Sequence, residues 1–110
     1  MIRMPLSAMA ACTGSPAVTA DPLVEGVTVD SRQAGPGMLF AALRGERADG
    51  HDFVQDAVTA GAVAILVAQP MAVPVPQLVV DDVLVALGRI AAAWRRRVDP
   101  LVVGITGSNG

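Results

Sequence analysis

There is no lysine in this chain of 110 residues and no tyrosine, and there is one residue each of cysteine, histidine and tryptophan. Each shortage excludes something. A lone Cys12 cannot close an internal disulfide, and with a single histidine it cannot supply a cysteine–histidine metal site; it fits a reduced compartment and a cytoplasmic location. The charge balance is −2, so the basic face that nucleic acid requires is missing. No apolar run approaches the ~20 residues of a membrane-spanning helix. The opening "MIRMPLSAMAACTG" carries one Arg, Pro5 and an Ala-rich middle, which does not read as a secretion signal; Pro5–Cys12 reads as a short helix. The absence of lysine is a compositional bias rather than chemistry, since all eight basic residues are arginine.

What is present is apolar: 53% of the residues are hydrophobic, enough to bury a core within one domain. The apolar residues fall into short runs of changing period. "GVTVDSR" (26–32), "MLFAAL" (38–43), "VAILVA" (63–68), "QLVVDD" (77–82) and "LVVGIT" (101–106) read as strands. Phe53, Val54, Ala57 and Val58 share one helical face, with Asp49 as N-cap and Gly61 as the residue just past the end. Val83, Leu87, Ile90, Ala91 and Trp94 form the stripe of a longer helix over 83–97, capped by Asp81 or Asp82. Arg95, Arg96 and Arg97 then fall in its last turn, opposing the negative helix end, before Asp99-Pro100 breaks it. The expected fold is α/β, a small mixed sheet with flanking helices.

Two constellations carry chemistry. The strand and Gly-rich turn "GITGSNG" has the form of a phosphate loop's opening, in which glycines let successive N–H groups face an anion. The Lys and the Ser or Thr that complete such a loop do not follow within these residues. The second constellation joins Val29, Asp30, Ser31 and Arg32 with Gly45, Glu46, Arg47 and Ala48, on loops after neighbouring strands. Asp30 and Ser31 can bond a base or ribose, and Arg32 and Arg47 can meet phosphate oxygens. A salt-bridge cluster such as Asp30–Arg47 or Arg44–Glu46 explains the same residues equally well. His51, at a helix start, reads as a hydrogen bond to a nearby loop or cap.

Taken together, "VTVDSRQAGPGMLFAALRGERADGHDFVQDAVTAGAVAILV", "VPQLVVDDVLVALGRIAAAWRRR" and "VVGITGSNG" resemble the start of the Mur ligases, ATP-dependent amide ligases of peptidoglycan precursor synthesis. The resemblance runs from Gly26 to Gly110; Met38 stands where the family usually has a polar residue. It implies a three-domain protein, of which residues 1–98 are the UDP-MurNAc-peptide-binding domain and 99–110 the first strand and partial phosphate loop of the central domain. Val29, Asp30 and Ser31 match the segment lining the uridine-nucleotide pocket, and Gly45 to Ala48 match a second lining loop. Thr106, Gly107, Ser108, Asn109 and Gly110 match the start of the ATP loop. Ser108, Trp94 and the compact 69–76 loop point to the branch that adds D-alanyl-D-alanine to UDP-MurNAc-tripeptide. The branch adding the third peptide residue is the alternative within the family, and a free-standing uridine-nucleotide-binding or interaction module the alternative outside it. ATP and Mg²⁺ are implied for the whole enzyme, acting as a monomer; no catalytic residue or metal ligand falls within these residues, which are expected to be inactive alone.

Overall fold

The structure, a computed structural model, describes residues 3–16, 18–45 and 49–106, the last ten of these as backbone only. Its centre is a four-stranded sheet: β3 (Gly26–Thr28), β4 (Met38–Ala41), β5 (Ala64–Val67) and β6 (Gln77–Val79), in that order and parallel throughout. A separate antiparallel pair, β1 (Met4–Pro5) with β2 (Leu23–Val24), flanks α1 (Leu6–Thr13). The two strand directions expected in one mixed sheet are thus divided between two sheets.

Burial on both faces explains why β4 and β5 read as continuous apolar runs. Leu39, Ala41, Ala64, Leu66 and Leu78 point to one side, against Leu6 and Met9 of α1 and Val83, Ala86 and Ile90 of α3 (Val83–Thr106). Phe40, Ala42, Ile65 and Val67 point to the other, against Val54 and Ala57 of α2 (Val54–Thr59). A one-residue slip of either strand would exchange these two sets. Gly61 ends α2 with φ +111°: its N–H donates to Val58 and that of Ala62 to Ala57, the paired bonds of a Schellman motif. At the sheet's far edge the N–H of Val79 finds the Ser15 hydroxyl at 3.3 Å.

Four expectations are corrected. Phe53 lies in a 3₁₀ turn (Gly50–Phe53) ahead of α2, out of phase with the helix's apolar stripe, and is 40% exposed. On α3 the buried positions are Val83, Ala86 and Ile90, with Ala93 and Trp94 packed partly against the same core; Ala91 faces solvent. Leu101–Thr106 is helical rather than a strand, and α3 runs through Asp99-Pro100. An unpaired strand there would leave its N–H and C=O groups without partners, whereas a helix bonds its own, losing one bond at the proline. Because α3 continues to Thr106, Arg95, Arg96 and Arg97 are mid-helix and do not oppose its C-terminal dipole. No helix among the described residues is long and apolar enough to cross a membrane.

Candidate functional site

All four parallel strands run the same way, so their carboxyl ends open on one edge of the sheet. In such sheets the loops at that edge hold ligands. Here the edge carries Val29–Arg32 after β3, Leu43–Gly45 and Asp49 after β4, Ala68 after β5 and Asp81–Asp82 after β6.

The loop after β3 is built by local bonds. Thr28 Oγ1 accepts the Asp30 N–H at 3.1 Å, turning the chain out of the strand. The Asp30 carboxylate then caps a 3₁₀ turn (Ser31–Gln33), accepting the Arg32 N–H at 2.9 Å, and receives the Arg32 guanidinium through Nε at 3.1 Å and Nη2 at 3.0 Å. The fork of donors beside Asp30, helped by that backbone N–H, holds its carboxyl below the usual carboxylate range and raises the Arg32 value. Arg32 is 88% exposed, so the pair is a surface one that a competing anion can open. Ser31 makes no side-chain hydrogen bond among the described residues. An open cavity of about 590 Å³ lies here, lined by Val29, Asp30, Ser31, Arg32, Phe53 and Asp56. Val29 at 52% and Phe53 at 40% exposure give it two accessible apolar walls.

The second expected segment is only partly in view. Gly45 is exposed, and Glu46, Arg47 and Ala48 lie outside the described residues. Its two ends are brought together by an antiparallel bridge between Arg44 and Asp49, whose side chains approach to 3.5 Å. Among the described residues Asp30 pairs with Arg32 and Arg44 with Asp49; the suggested pairings with Arg47 and Glu46 lie outside the described residues.

Residues 49–51 form a knot. Gly50 donates its N–H to Leu43 O at 2.7 Å, and a Cβ at position 50 would stand 2.6 Å from Leu43 N and 2.7 Å from Leu43 O. Only glycine lets the two backbones meet this closely. Asp49 Oδ1 accepts the His51 N–H at 3.0 Å and meets His51 Nδ1 at 2.6 Å; the backbone bond first, then the ring bond, holds the Asp49 carboxyl below its ordinary value. On its far side the ring accepts the Ala68 N–H at Nε2, 3.0 Å away. An amide N–H can only donate, so Nε2 carries no proton and Nδ1 carries the one shared with Asp49. His51 is the cap-and-loop residue the sequence suggested, and its side chain is 4% exposed.

A second cavity, of about 390 Å³, opens on the other side of this knot between Arg44, His51, Ala68, Asp81, Asp82 and Leu84. Asp82 caps α3 through the Val85 N–H at 3.1 Å, as expected. Sequence reasoning missed Phe53, Asp56 and Asp81 as lining residues; the rule that ligand loops follow parallel strands would have found Asp81. The ATP-loop residues divide: Thr106 ends α3, while Gly107, Ser108, Asn109 and Gly110 lie outside the described residues. Among the described residues no group of three or more His, Cys, Asp or Glu is placed to hold a metal ion.

Comparison with known proteins gives three findings. Residues 23–95 match the model of the Mur ligase family, catalytic domain. Among curated proteins, the UDP-N-acetylmuramoyl-tripeptide–D-alanyl-D-alanine ligase of Escherichia coli (strain K12) is 43% identical over 110 residues, covering 100% of this chain and 24% of that protein. The UDP-N-acetylmuramoyl-L-alanyl-D-glutamate–2,6-diaminopimelate ligase of Geobacter metallireducens is 47% identical over 91 residues, 79% of this chain and 18% of that protein. Among solved structures, MurF from Acinetobacter baumannii superposes with a TM-score of 0.73 at 31% identity, over 91% of this chain and 23% of that one. The chain therefore spans about a quarter or less of the length of these relatives.

Proposed function

The chain belongs to the Mur ligase family, and from that premise we propose that its residues hold the uridine-nucleotide end of UDP-MurNAc-tripeptide for an ATP-dependent, cytoplasmic ligase that joins D-alanyl-D-alanine to it. The observation that carries this reading is the open cavity at the end of β3, where two exposed apolar side chains face a polar turn. Val29 and Phe53 suit the two faces of a uracil ring. The unengaged Ser31 hydroxyl and the Asp30 carboxylate suit base or ribose polar groups. Arg32 exchanges its exposed partner Asp30 for the diphosphate, a change between two anions that requires no new buried charge. Gly45, Glu46, Arg47 and Ala48 are retained as the second binding segment.

In the longer protein, ATP would activate the peptide carboxylate and Mg²⁺ would neutralise phosphate charge. In this reading residues 1–98 hold the nucleotide sugar, and ATP and Mg²⁺ would be held by the central domain that begins near residue 99. There, a neighbouring strand would give Leu101–Thr106 the partner it needs to leave the helical form, and Thr106–Gly110 would open the ATP loop.

Titrating UDP into the chain and following backbone amide signals tests the site. Shifts are expected at Val29–Arg32 and Phe53; shifts confined to the helices α1 and α3 would defeat it. A second reading, the ligase that adds diaminopimelate, is favoured by the 47% identity to the Geobacter metallireducens protein. Assaying the full-length protein with D-alanyl-D-alanine and with diaminopimelate separates the two, since one acceptor alone should be consumed.

A further inference from the structure

His51 and Phe53 share one short 3₁₀ turn but face different neighbours. Phe53 lines the cavity at the end of β3. His51 is buried and tied at both ring nitrogens, to Asp49 at the head of the turn and to the Ala68 amide at the end of β5. The turn has no other side-chain hydrogen bond to the sheet among the described residues; its backbone is further held by Gly50 N–H to Leu43 O, by the Arg44–Asp49 bridge at its head and by buried Val54, which follows Phe53 into the core. We infer that His51 is a positioning residue for nucleotide binding: by bridging Asp49 and Ala68 as the Nδ1–H tautomer, it holds the Gly50–Phe53 turn so that Phe53 stands opposite Val29. The inference rests on the nucleotide reading above.

The physical argument is one of rigidity. A four-residue 3₁₀ turn has poor hydrogen-bond geometry and little stability of its own. An aromatic wall contributes to binding only if its orientation is fixed before the ligand arrives; otherwise ordering it subtracts from affinity. The imidazole reaches from the turn to a different strand, which no bond within the turn can do. Its two nitrogens need opposite roles, acceptor toward Ala68 and donor toward Asp49, and a neutral imidazole supplies one of each.

The test is a double-mutant cycle on UDP affinity with His51→Ala, Phe53→Ala and the pair, using inorganic pyrophosphate as a probe that lacks the base. His51→Ala is expected to weaken UDP at least tenfold and pyrophosphate by less than twofold, and the double variant to bind UDP no worse than Phe53→Ala alone. Multiplicative losses, or an unchanged UDP affinity in folded His51→Ala, overturn the inference. If His51→Ala does not fold, His51→Gln replaces it: an amide oxygen near the Nε2 position keeps the Ala68 bond, and affinity within threefold of the original chain is expected, a larger loss counting against the bridge to Ala68. Nitrogen-15 spectra of the His51 ring must show a proton on Nδ1 and none on Nε2; the opposite tautomer overturns the inference directly. Should the unmodified chain fail to bind UDP, the nucleotide reading falls, and the positioning is judged by the Phe53 ring signals, which must move in the His51 variant and would refute it by staying in place.

Discussion

The turn after β3 and the turn before α2 begin alike and end differently. In each, an aspartate with nearly the same extended backbone (φ −111°, ψ 115° at Asp30; φ −98°, ψ 124° at Asp49) accepts the N–H two residues on, then pairs with that residue's side chain. At the first turn the side chain is Arg32, which finishes in solvent. At the second it is His51, which passes its other nitrogen to a strand seventeen residues further along. The same three-residue chemistry thus makes an openable clasp in one place and a fixed joint in the other. Whether the partner side chain ends in water or in the fold decides which.

The contrast can be broken by substitution. The largest effect is expected from Gly50→Ala, because the added Cβ meets Leu43 backbone atoms that cannot swing away. A loss of about 3 kcal/mol should appear in urea unfolding. His51→Ala follows, at about 2 kcal/mol, since it leaves the Ala68 N–H without its acceptor; the Ala68 amide should also exchange faster with solvent.

Acid sharpens the comparison further. Both carboxyls sit below their ordinary value in the fold, so the stability they contribute is present above the unfolded carboxylate pKa, roughly 3.9, and is lost as pH falls through the lower folded values. Unfolding midpoints between pH 2 and 6 should therefore drop at the acid end. Asp49→Asn should flatten that drop more than Asp30→Asn, because the partner of Asp49 is anchored to β5. The smallest change in stability is expected from Arg32→Ala, a surface pair's loss that leaves the thermal midpoint near that of the unmodified chain, while UDP affinity falls roughly tenfold.

The alternation of strands and helices was legible because each run's length and period reflects which faces it buries: Phe40 and Leu39 differ only in the side of the sheet they meet. Caps were legible too, at Asp49, Asp82 and Gly61, since a cap acts within a few residues of itself. What lay beyond reading was of three kinds. The bond from His51 to Ala68 depends on β4 and β5 being neighbours, which no local pattern states. Leu101–Thr106 has strand composition, but a strand is a property of a pair, and among the described residues no strand pairs with it. Phe53 failed for a third reason: one turn of 3₁₀ pitch before α2 was enough to rotate it out of the core.

The order of the sheet also bears on how the molecule comes to exist. Strands that lie side by side in the order they are synthesised keep each crossover between chain neighbours, pairing Gly26 with Met38, Leu39 with Ala64 and Ile65 with Gln77, so each can add to the last as it emerges. Helix α1 is the exception. It is made before the sheet, yet its cover against the core is completed by α3, which follows the last strand. During synthesis β3 to β6 can assemble while Leu6 and Met9 still await their far neighbour, so the helix made before the sheet is closed in after it.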